Sequence, residues 1–154
     1  MRRPFGLVLV LVTSFAIPLS AQAAVAGTWF TEFDAQVRIV NGSASTMKGR
    51  ARIELQVSGD SIHGTWQNLN ATGAPDGPAR PLGGALSTNG AHFEALRPSE
   101  MVQRMMDNET HTQVIMNYDV AVHGDSLVGT VQWVAVDHSS QGETRPFTAT
   151  RKAS

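Results

Sequence analysis

The feature that most constrains the fold of this chain is a segment that occurs twice. Residues 53–67 read IELQVSGDSIHGTWQ and residues 118–132 read YDVAVHGDSLVGTVQ, with seven identical positions. In each copy a Gly-Asp step separates two runs in which apolar and polar residues alternate. Alternation with a period of two is typical of half-buried strands, and glycine favours the first position of a tight turn. Each copy therefore predicts a β-hairpin.

The two hairpins predict which side chains share a face. A two-residue turn at Gly59 and Asp60 places residues 53, 55 and 57 on one face with residues 62, 64 and 66. The same register in the second copy places Tyr118, Val120 and Val122 on one face with Leu127, Gly129 and Val131. Each hairpin is therefore expected to turn one apolar stripe towards a core.

The rest of the chain continues the β pattern with one exception. Alternation predicts strands over residues 28–40, 47–58, 112–122, 126–136 and 147–151, and a hairpin over 82–96. The hairpin is expected to turn at Asn89-Gly90, with Leu86 opposite Phe93. Between these strands, Met101, Val102, Met105 and Met106 recur at helical spacing, which predicts a short helix over residues 100–107. About seven or eight strands predict an all-β fold, an antiparallel up-and-down or lipocalin-like barrel with one short helix.

The first two predicted strands have charged outer faces. Odd-numbered residues from Trp29 to Ile39 are expected to face inward, together with Met47 of the next strand. Glu32 and Asp34 are expected to lie across from the basic side chains of residues 48–52. Such cross-strand pairs contribute only ~0.2–1 kcal/mol each, so we interpret this face as solvated rather than as a recognition site.

Residues 1–23 have the pattern of a secretory signal peptide. Arg2 and Arg3 precede an apolar run at 6–17, and Ala21-Gln22-Ala23 matches a cleavage site. The run is shorter than the ~20 residues that span a bilayer, so no membrane association is expected after cleavage. Residues 24–154 are then expected to form a single β-barrel domain in the periplasm or the medium of a bacterium.

Composition excludes several classes of function. Cysteine is absent, which excludes disulfides, thiolate metal sites and a cysteine nucleophile. Without the two arginines of the leader, ten basic and thirteen acidic side chains remain, a net charge of −3. No basic stretch interleaves with aromatic residues, so nucleic acid is not an expected partner. The five histidines show no His-x-His or His-x-x-x-His spacing, and neither a metal nor another cofactor is expected.

Several motifs resemble those of known β-rich domains. Gly27-Thr28-Trp29 is similar to the Gly-x-Trp start of lipocalin-like barrels. A wider similarity is to the small β-rich domain that precedes many exported bacterial α/β-hydrolases, in which two G-x-(L/I)-x-G-T hairpins and a proline-containing last strand follow such a start. The corresponding segments are 27–29, 59–66, 80–82, 124–130 and 146–151. No Gly-x-Ser-x-Gly elbow occurs and no hydrolase domain is expected after Ser154, so the resemblance implies a fold and not esterase activity.

The candidate binding residues are the bulky side chains of the inward stripes. A barrel of about eight strands can be filled by such side chains or can hold one small ligand, and the sequence leaves both possibilities open. Methionine adapts to varied apolar ligands, so the predicted helix is a candidate cap. The candidate ligand contacts are Trp29, Trp66, Phe93, Tyr118, Trp133 and Met105. No catalytic residue is assigned.

Three functions remain open, and the leading hypothesis is a non-catalytic binding module for a small apolar molecule. The first alternative is an accessory or inhibitor protein that binds an exported enzyme through the proline-rich loop at 68–81. The second is a barrel isomerase or cyclase with proton donors drawn from His63, Glu94, His111 and Tyr118. This enzyme would require two of these groups to converge on one cavity.

Overall fold

The computed structural model describes residues 24–40, 43–105 and 108–151, without the side chains of residues 36–44 and 105. The predicted signal peptide at 1–23 lies outside these residues. Within the described ranges the chain forms nine strands. They are β1 (Gly27–Val40), β2 (Ser43–Ser58), β3 (Ser61–Leu69), β4 (Arg80–Leu86), β5 (Gly90–Ala95), β6 (Ser99–Met105), β7 (Asn108–His123), β8 (Ser126–Ala135) and β9 (Arg145–Thr150).

Eight of the strands close into an antiparallel barrel. Neighbours pair in the order β5-β4-β3-β2-β1-β9-β8-β7, and β5 pairs with β7 to complete the ring. The remaining strand, β6, pairs with the first half of β7 and lies outside the ring. The seam between β1 and β9 is short, with the pair Phe30↔Thr150 and a hydrogen bond of 2.7 Å from the Thr31 hydroxyl to the Thr148 carbonyl oxygen. The predicted all-β antiparallel barrel is confirmed.

Both Gly-Asp hairpins have the predicted register. In the first, Val57 pairs with Ile62, and in the second Val122 pairs with Leu127. Gly59 has a φ of 64° and Gly124 a φ of 58°. The aspartate after each glycine has no positive φ, so the two turns have the backbone pattern of type II′, in which only the first position needs glycine.

The repetition seen in the sequence extends over a much longer part of the structure. Residues 53–86 and 118–151 share one pairing register, since Ser61↔Ala85 corresponds to Ser126↔Thr150, and every pair up to Trp66↔Arg80 has its counterpart 65 residues later. Arg80-Pro81 and Arg145-Pro146 occupy equivalent positions at the start of β4 and β9. The barrel is therefore built from two matching β-hairpin-and-strand units.

The connections of the two units match as well. The Gln67 side-chain amide donates to the Gly77 carbonyl oxygen at 3.0 Å, and that of Gln132 donates to the Gly142 carbonyl oxygen at 2.8 Å. At the other end of the barrel, the Leu86 and Arg151 amides donate to the carbonyl oxygens of the two turn aspartates. The repeated glutamine thus holds a long loop against the barrel in each unit.

The predicted helix over 100–107 is wrong, because residues 99–105 form β6. β6 is the counterpart of the second half of β1: Gln36↔Met47 in β1 and β2 corresponds to Met101↔Thr112 in β6 and β7. Pairing with β7 satisfies the backbone groups on one side of this segment along the whole ladder, and this long-range interaction outweighs the local helical spacing of the methionines. Residues 106 and 107 lie outside the described residues.

The inward face predicted for the first strand holds only as far as Phe33. A β-bulge shifts the β1–β2 register between Asp34 and Gln36, which leaves Ala35 exposed. Met47, beyond the bulge, is 58% exposed rather than buried. The side chains of the later odd-numbered residues of β1 lie outside the described residues.

The 82–96 hairpin forms, but its turn is not at Asn89-Gly90. Leu86 pairs with Ala91, and residues 87–89 make the connection. Neither Asn89 nor Gly90 has the positive φ that a type I′ turn requires. The pairing has moved by two residues, and for that reason Leu86 still faces the core.

Gly90 lies in β5 rather than in the turn, because it is needed where β5 approaches β7. It pairs with Ala121 of β7 at the closure of the ring, where a Cβ atom would lie 1.9 Å from the Val120 carbonyl oxygen. Glycine here permits the close approach of two backbones.

One end of the barrel, with the two Gly-Asp turns, is closed by packing; we call it the turn end. The Arg151 guanidinium lies over the Trp29 indole at 4.1 Å from the ring centroid and donates hydrogen bonds to the Ala24 and Ala26 carbonyl oxygens. The Trp29 indole N–H donates to the Val25 carbonyl oxygen at 2.9 Å, and Val25 itself is buried. The opposite end, with the loops 70–79 and 136–144, is called the loop end.

Candidate functional site

Aromatic side chains fill the middle of the barrel around Tyr118. Its ring stacks on Phe93 at a centroid distance of 5.0 Å and on Trp66 at 5.7 Å, and it meets the edge of Phe147 at 5.1 Å. Trp66 in turn contacts Phe33 at 5.6 Å. Offset stacked and edge-on aromatic pairs contribute ~0.5–1.5 kcal/mol each beyond the area that they bury. The stack therefore fixes the floor of any space at the loop end.

The Tyr118 hydroxyl is a polar group inside this apolar stack. The residue is only 5% exposed, and burial raises the pKa of the phenol well above its usual range, so the hydroxyl stays protonated. No hydrogen bond from another described residue reaches it.

Three inward-facing side chains on the loop-end half of the barrel are half-buried. Ile62 and Leu127 near the turn end have no exposed surface, whereas Trp66 and Val131 of the same faces are half-buried, and so is Met116 of β7. All three pack against the core cluster, as do the half-buried Val57 and Val122 beside the Gly-Asp turns. We call Trp66, Met116 and Val131 the mouth residues.

The two tryptophans at the loop end are held by different neighbours. The Trp66 indole N–H donates to the Asn68 side-chain oxygen at 2.7 Å. Trp133 lies under the loop 136–144, and a Cβ atom on Gly142 would come 2.1 Å from its indole nitrogen. Gly142 is therefore required where the loop backbone passes directly over this ring.

The structure brings three of the six predicted ligand contacts together, namely Trp66, Phe93 and Tyr118. Trp29 and Phe93 have no exposed surface, and Trp29 belongs to the packing of the turn end. Trp133 is covered by its own loop. The backbone of Met105 lies at the end of β6, outside the ring, and its side chain is not among those described.

Three further side chains face the interior and are not among the predicted ligand contacts, namely Phe33, Met116 and Phe147. Their inward direction follows from the same alternation that singled out Trp66, so the signal was present. The contact of Phe147 with Tyr118 joins strands that are not neighbours, and strand alternation alone does not specify such a contact.

The polar groups considered for catalysis do not converge. His63, Glu94 and His111 are exposed on the outside, whereas Tyr118 is buried. In the part of the chain that the structure describes, no group of three or more histidine and acidic side chains is placed to hold a metal ion.

Two ionic clusters lie on the outer surface. As predicted, Glu32 pairs across strands with Arg50 at 2.9 Å, and Asp34 with Lys48. On β6 and β7, His111 lies between two carboxylates, Glu100 at 3.1 Å and Glu109 at 2.8 Å, and these carboxylates raise the pKa of its imidazole.

A groove outside the barrel runs between the outer face of β1–β2 and the loop after β3. It consists of two adjoining hollows of about 210 and 420 Å³, which share Glu32, Arg50, Leu69 and Ala71 as lining residues. The first residues of this loop are linked by hydrogen bonds, because the Asn70 side-chain oxygen accepts from residues 72 and 74.

Together the fold and this interior define a class: a small, closed, eight-stranded antiparallel β-barrel, consistent with a lipocalin-like fold. Comparisons with protein-family models, curated proteins and solved structures find no match for the chain. Among the described residues, no helix is long and apolar enough to cross a membrane.

Proposed function

We propose that this protein is a non-catalytic binding module for a small apolar molecule, bound at the loop end of the barrel. The ligand lies on the Tyr118 stack and contacts the mouth residues Trp66, Met116 and Val131. The observation that carries the proposal is the half-burial of these three inward-facing side chains beside the aromatic stack, in which Trp66 itself contacts Tyr118.

Three properties of the site support an apolar ligand. Partly exposed Trp and Met side chains lose water on contact with a ligand, which contributes ~25 cal/mol per Å² of apolar surface removed from water. The stack beneath them is rigid, so little conformational entropy is lost on binding. The Tyr118 hydroxyl offers one hydrogen-bond donor to a ligand with a single polar group.

A titration with the neutral dye N-phenyl-1-naphthylamine tests this function. We expect dye fluorescence to rise with saturation and Trp fluorescence to fall as energy passes to the bound dye. Trp66→Ala and Met116→Ala should each weaken binding about tenfold or more, since each removes ~1.5–3 kcal/mol of apolar contact.

Val128→Ala provides the matched control. Val128 is 41% exposed on the outer side of β8, and its truncation should leave dye affinity unchanged. The proposal fails if the dye does not bind, or if Val128→Ala weakens binding as much as Trp66→Ala does.

A second candidate function is an accessory or inhibitor protein that binds an exported enzyme. The hydrogen-bonded loop 70–79, exposed along its whole length beside the outer groove, favours this function, because a pre-ordered loop loses little entropy on binding. The resemblance to the domain that precedes exported hydrolases suggests a hydrolase as the enzyme. Immobilised protein should retain such a partner from a culture extract, and Asn70→Ala, which removes the bonds that order the loop, should reduce the amount retained.

A further inference from the structure

β6 and the first residues of β7 form a ribbon that projects from the barrel. Residues 108–112 of β7 pair only with β6 within the described part of the chain, because β5 pairs with 117–121, β8 begins its pairing at Val114, and the Val136 amide donates to the Gln113 carbonyl oxygen. We call residues 99–105 and 108–112 the β6–β7 arm. Nearly all of its described side chains are exposed or half-buried on both faces.

An isolated two-stranded ribbon has little stability of its own. Two strands alone are marginally stable in water, and three or more strands, or packing against another element, are needed for independent stability. On its other side, β6 pairs with no strand of the described chain. Its free backbone N–H and C=O groups therefore present an edge on which another strand can pair.

The charges of β6 are complementary to those of a second, antiparallel copy of β6. In an antiparallel pair centred on Val102, Glu100 lies opposite Arg104 of a second copy, and Arg104 lies opposite Glu100 of that copy. Val102, which is 43% exposed, meets its own counterpart at the centre. Opposite charges directly across two strands are favourable, and each such pair here occurs twice.

The same charged residues of β6 also form ion pairs with β7 within one arm. Arg104 lies 2.5 Å from Glu109 and Glu100 lies 3.1 Å from His111, all on one face of the ribbon. Pairing of two arms would therefore place Glu109, Arg104, Glu100 of the second copy and Gln113 of the second copy in one row across four strands. A second copy satisfies this row by symmetry, whereas an unrelated strand would have to match it by chance.

We propose that the β6–β7 arm is a self-association site, at which β6 pairs antiparallel with β6 of a second copy of the chain about a two-fold axis through Val102. The two arms form one continuous four-stranded sheet between the barrels. The residues proposed to bind the ligand at the loop end all come from one chain. The self-association proposal is therefore independent of the proposed function.

Charge reversal tests the register of the pairing. Sedimentation of the wild-type protein over a wide concentration range should show a monomer–dimer equilibrium. Glu100→Arg and Arg104→Glu should each raise the dissociation constant about tenfold or more, because each places like charges opposite one another twice. The double variant restores opposite charges across the two-fold axis and should bind more tightly than either single variant, although it also reverses the charges that face Glu109 and His111 within the arm.

Glu32→Arg combined with Arg50→Glu is the control, since it exchanges the same types of charge on the barrel wall and should leave association unchanged. Circular dichroism of each variant checks that the fold is retained. A wild-type protein that is monomeric throughout, or a double variant no better than the single ones, would overturn the proposal.

Cross-linking gives a readout that does not depend on charge. The chain has no cysteine, so Val102→Cys introduces a single thiol at the two-fold axis. Residues opposite one another in antiparallel strands have Cα atoms within the range that a disulfide spans, and oxidation should convert most of the protein to a covalent dimer. Val128→Cys, with an almost equal exposure of 41%, is the matched control. Equal cross-linking of the two variants would also overturn the proposal.

Discussion

At the scale of single residues, the structure adds most to the sequence-based prediction at Tyr118. Alternation predicts an inward-facing aromatic, and the structure adds that its hydroxyl lies in an apolar stack without a described hydrogen-bond partner. Among the described residues, the fully buried side-chain polar atom without a hydrogen-bond partner is the Arg52 Nε atom and not the Tyr118 hydroxyl, so this hydroxyl keeps some exposed surface. Stability and ligand-binding measurements on a variant without the hydroxyl show what it contributes to each.

Tyr118→Phe should change the free energy of unfolding by less than ~1 kcal/mol at neutral pH, because it removes a hydroxyl that has no hydrogen-bond partner among the described residues and keeps the ring contacts. Urea unfolding measures the effect. A loss of more than ~1 kcal/mol would show that the hydroxyl has a partner in the folded protein.

The same residue gives a pH dependence of defined sign. Burial raises the pKa of the folded phenol above its ordinary value of 10, so the unfolded chain ionises first as the pH rises. Stability is therefore complete below pH 10 and falls above it, and Tyr118→Phe should abolish that part of the decline. Tyr118 is the single tyrosine of the chain, so its ultraviolet absorbance reports the ionisation directly.

At the scale of strands and turns, glycines with similar turn signals in the sequence have two different roles in the structure. Gly59 and Gly124 are turn residues with positive φ, as predicted, whereas Gly90 is a strand residue in close contact with β7. The dipeptide Asn89-Gly90 is a strong local turn signal, but the closure of the ring is a long-range interaction that no local pattern contains.

Gly90→Ala should destabilise the protein by about 1–3 kcal/mol, since the added methyl group meets backbone atoms that cannot move freely. Asn89→Ala should change the free energy of unfolding by less than ~0.5 kcal/mol, because Asn89 does not have the left-handed conformation of a type I′ turn. Thermal or urea unfolding measures both. Similar losses in the two variants would instead support the turn predicted from the sequence.

The helix prediction over 100–107 failed for a related reason. Met101, Val102 and Met105 are compatible with either a helical or an extended backbone, and only the partner strand decides between them. The internal repeat contains the missing information, because the second half of β1 and β6 occupy equivalent places 65 residues apart. Little sequence identity remains there to reveal it.

At the scale of the whole molecule, the barrel is two matching units joined into one ring. The identical residues of the two units include those of the Gly-Asp turns, the glycines packed against backbone and the glutamines that fix the loops. The mouth residues are not repeated: Trp66 in the first unit corresponds to Val131 in the second. Shared positions therefore specify the barrel, and differing positions shape the interior at the loop end.

This division explains how much of the candidate site the sequence could predict. Strand alternation identified Trp66, Phe93 and Tyr118 as inward-facing, and the structure joins them in one stack. It could not separate Trp29, which packs at the turn end, or Trp133, which lies under its loop. Their surroundings depend on segments distant in sequence, namely Arg151 for the first and Gly142 for the second.

The most direct test of ligand binding at the loop end is a methyl NMR spectrum of the protein labelled at its methionines, recorded with N-phenyl-1-naphthylamine. Met116 lies at the mouth, whereas Met47 is 58% exposed outside the core. We expect the Met116 methyl signal to shift and saturate with the dye while the Met47 signal stays in place. An unshifted Met116 signal, or equal shifts at both residues, would contradict binding at this site.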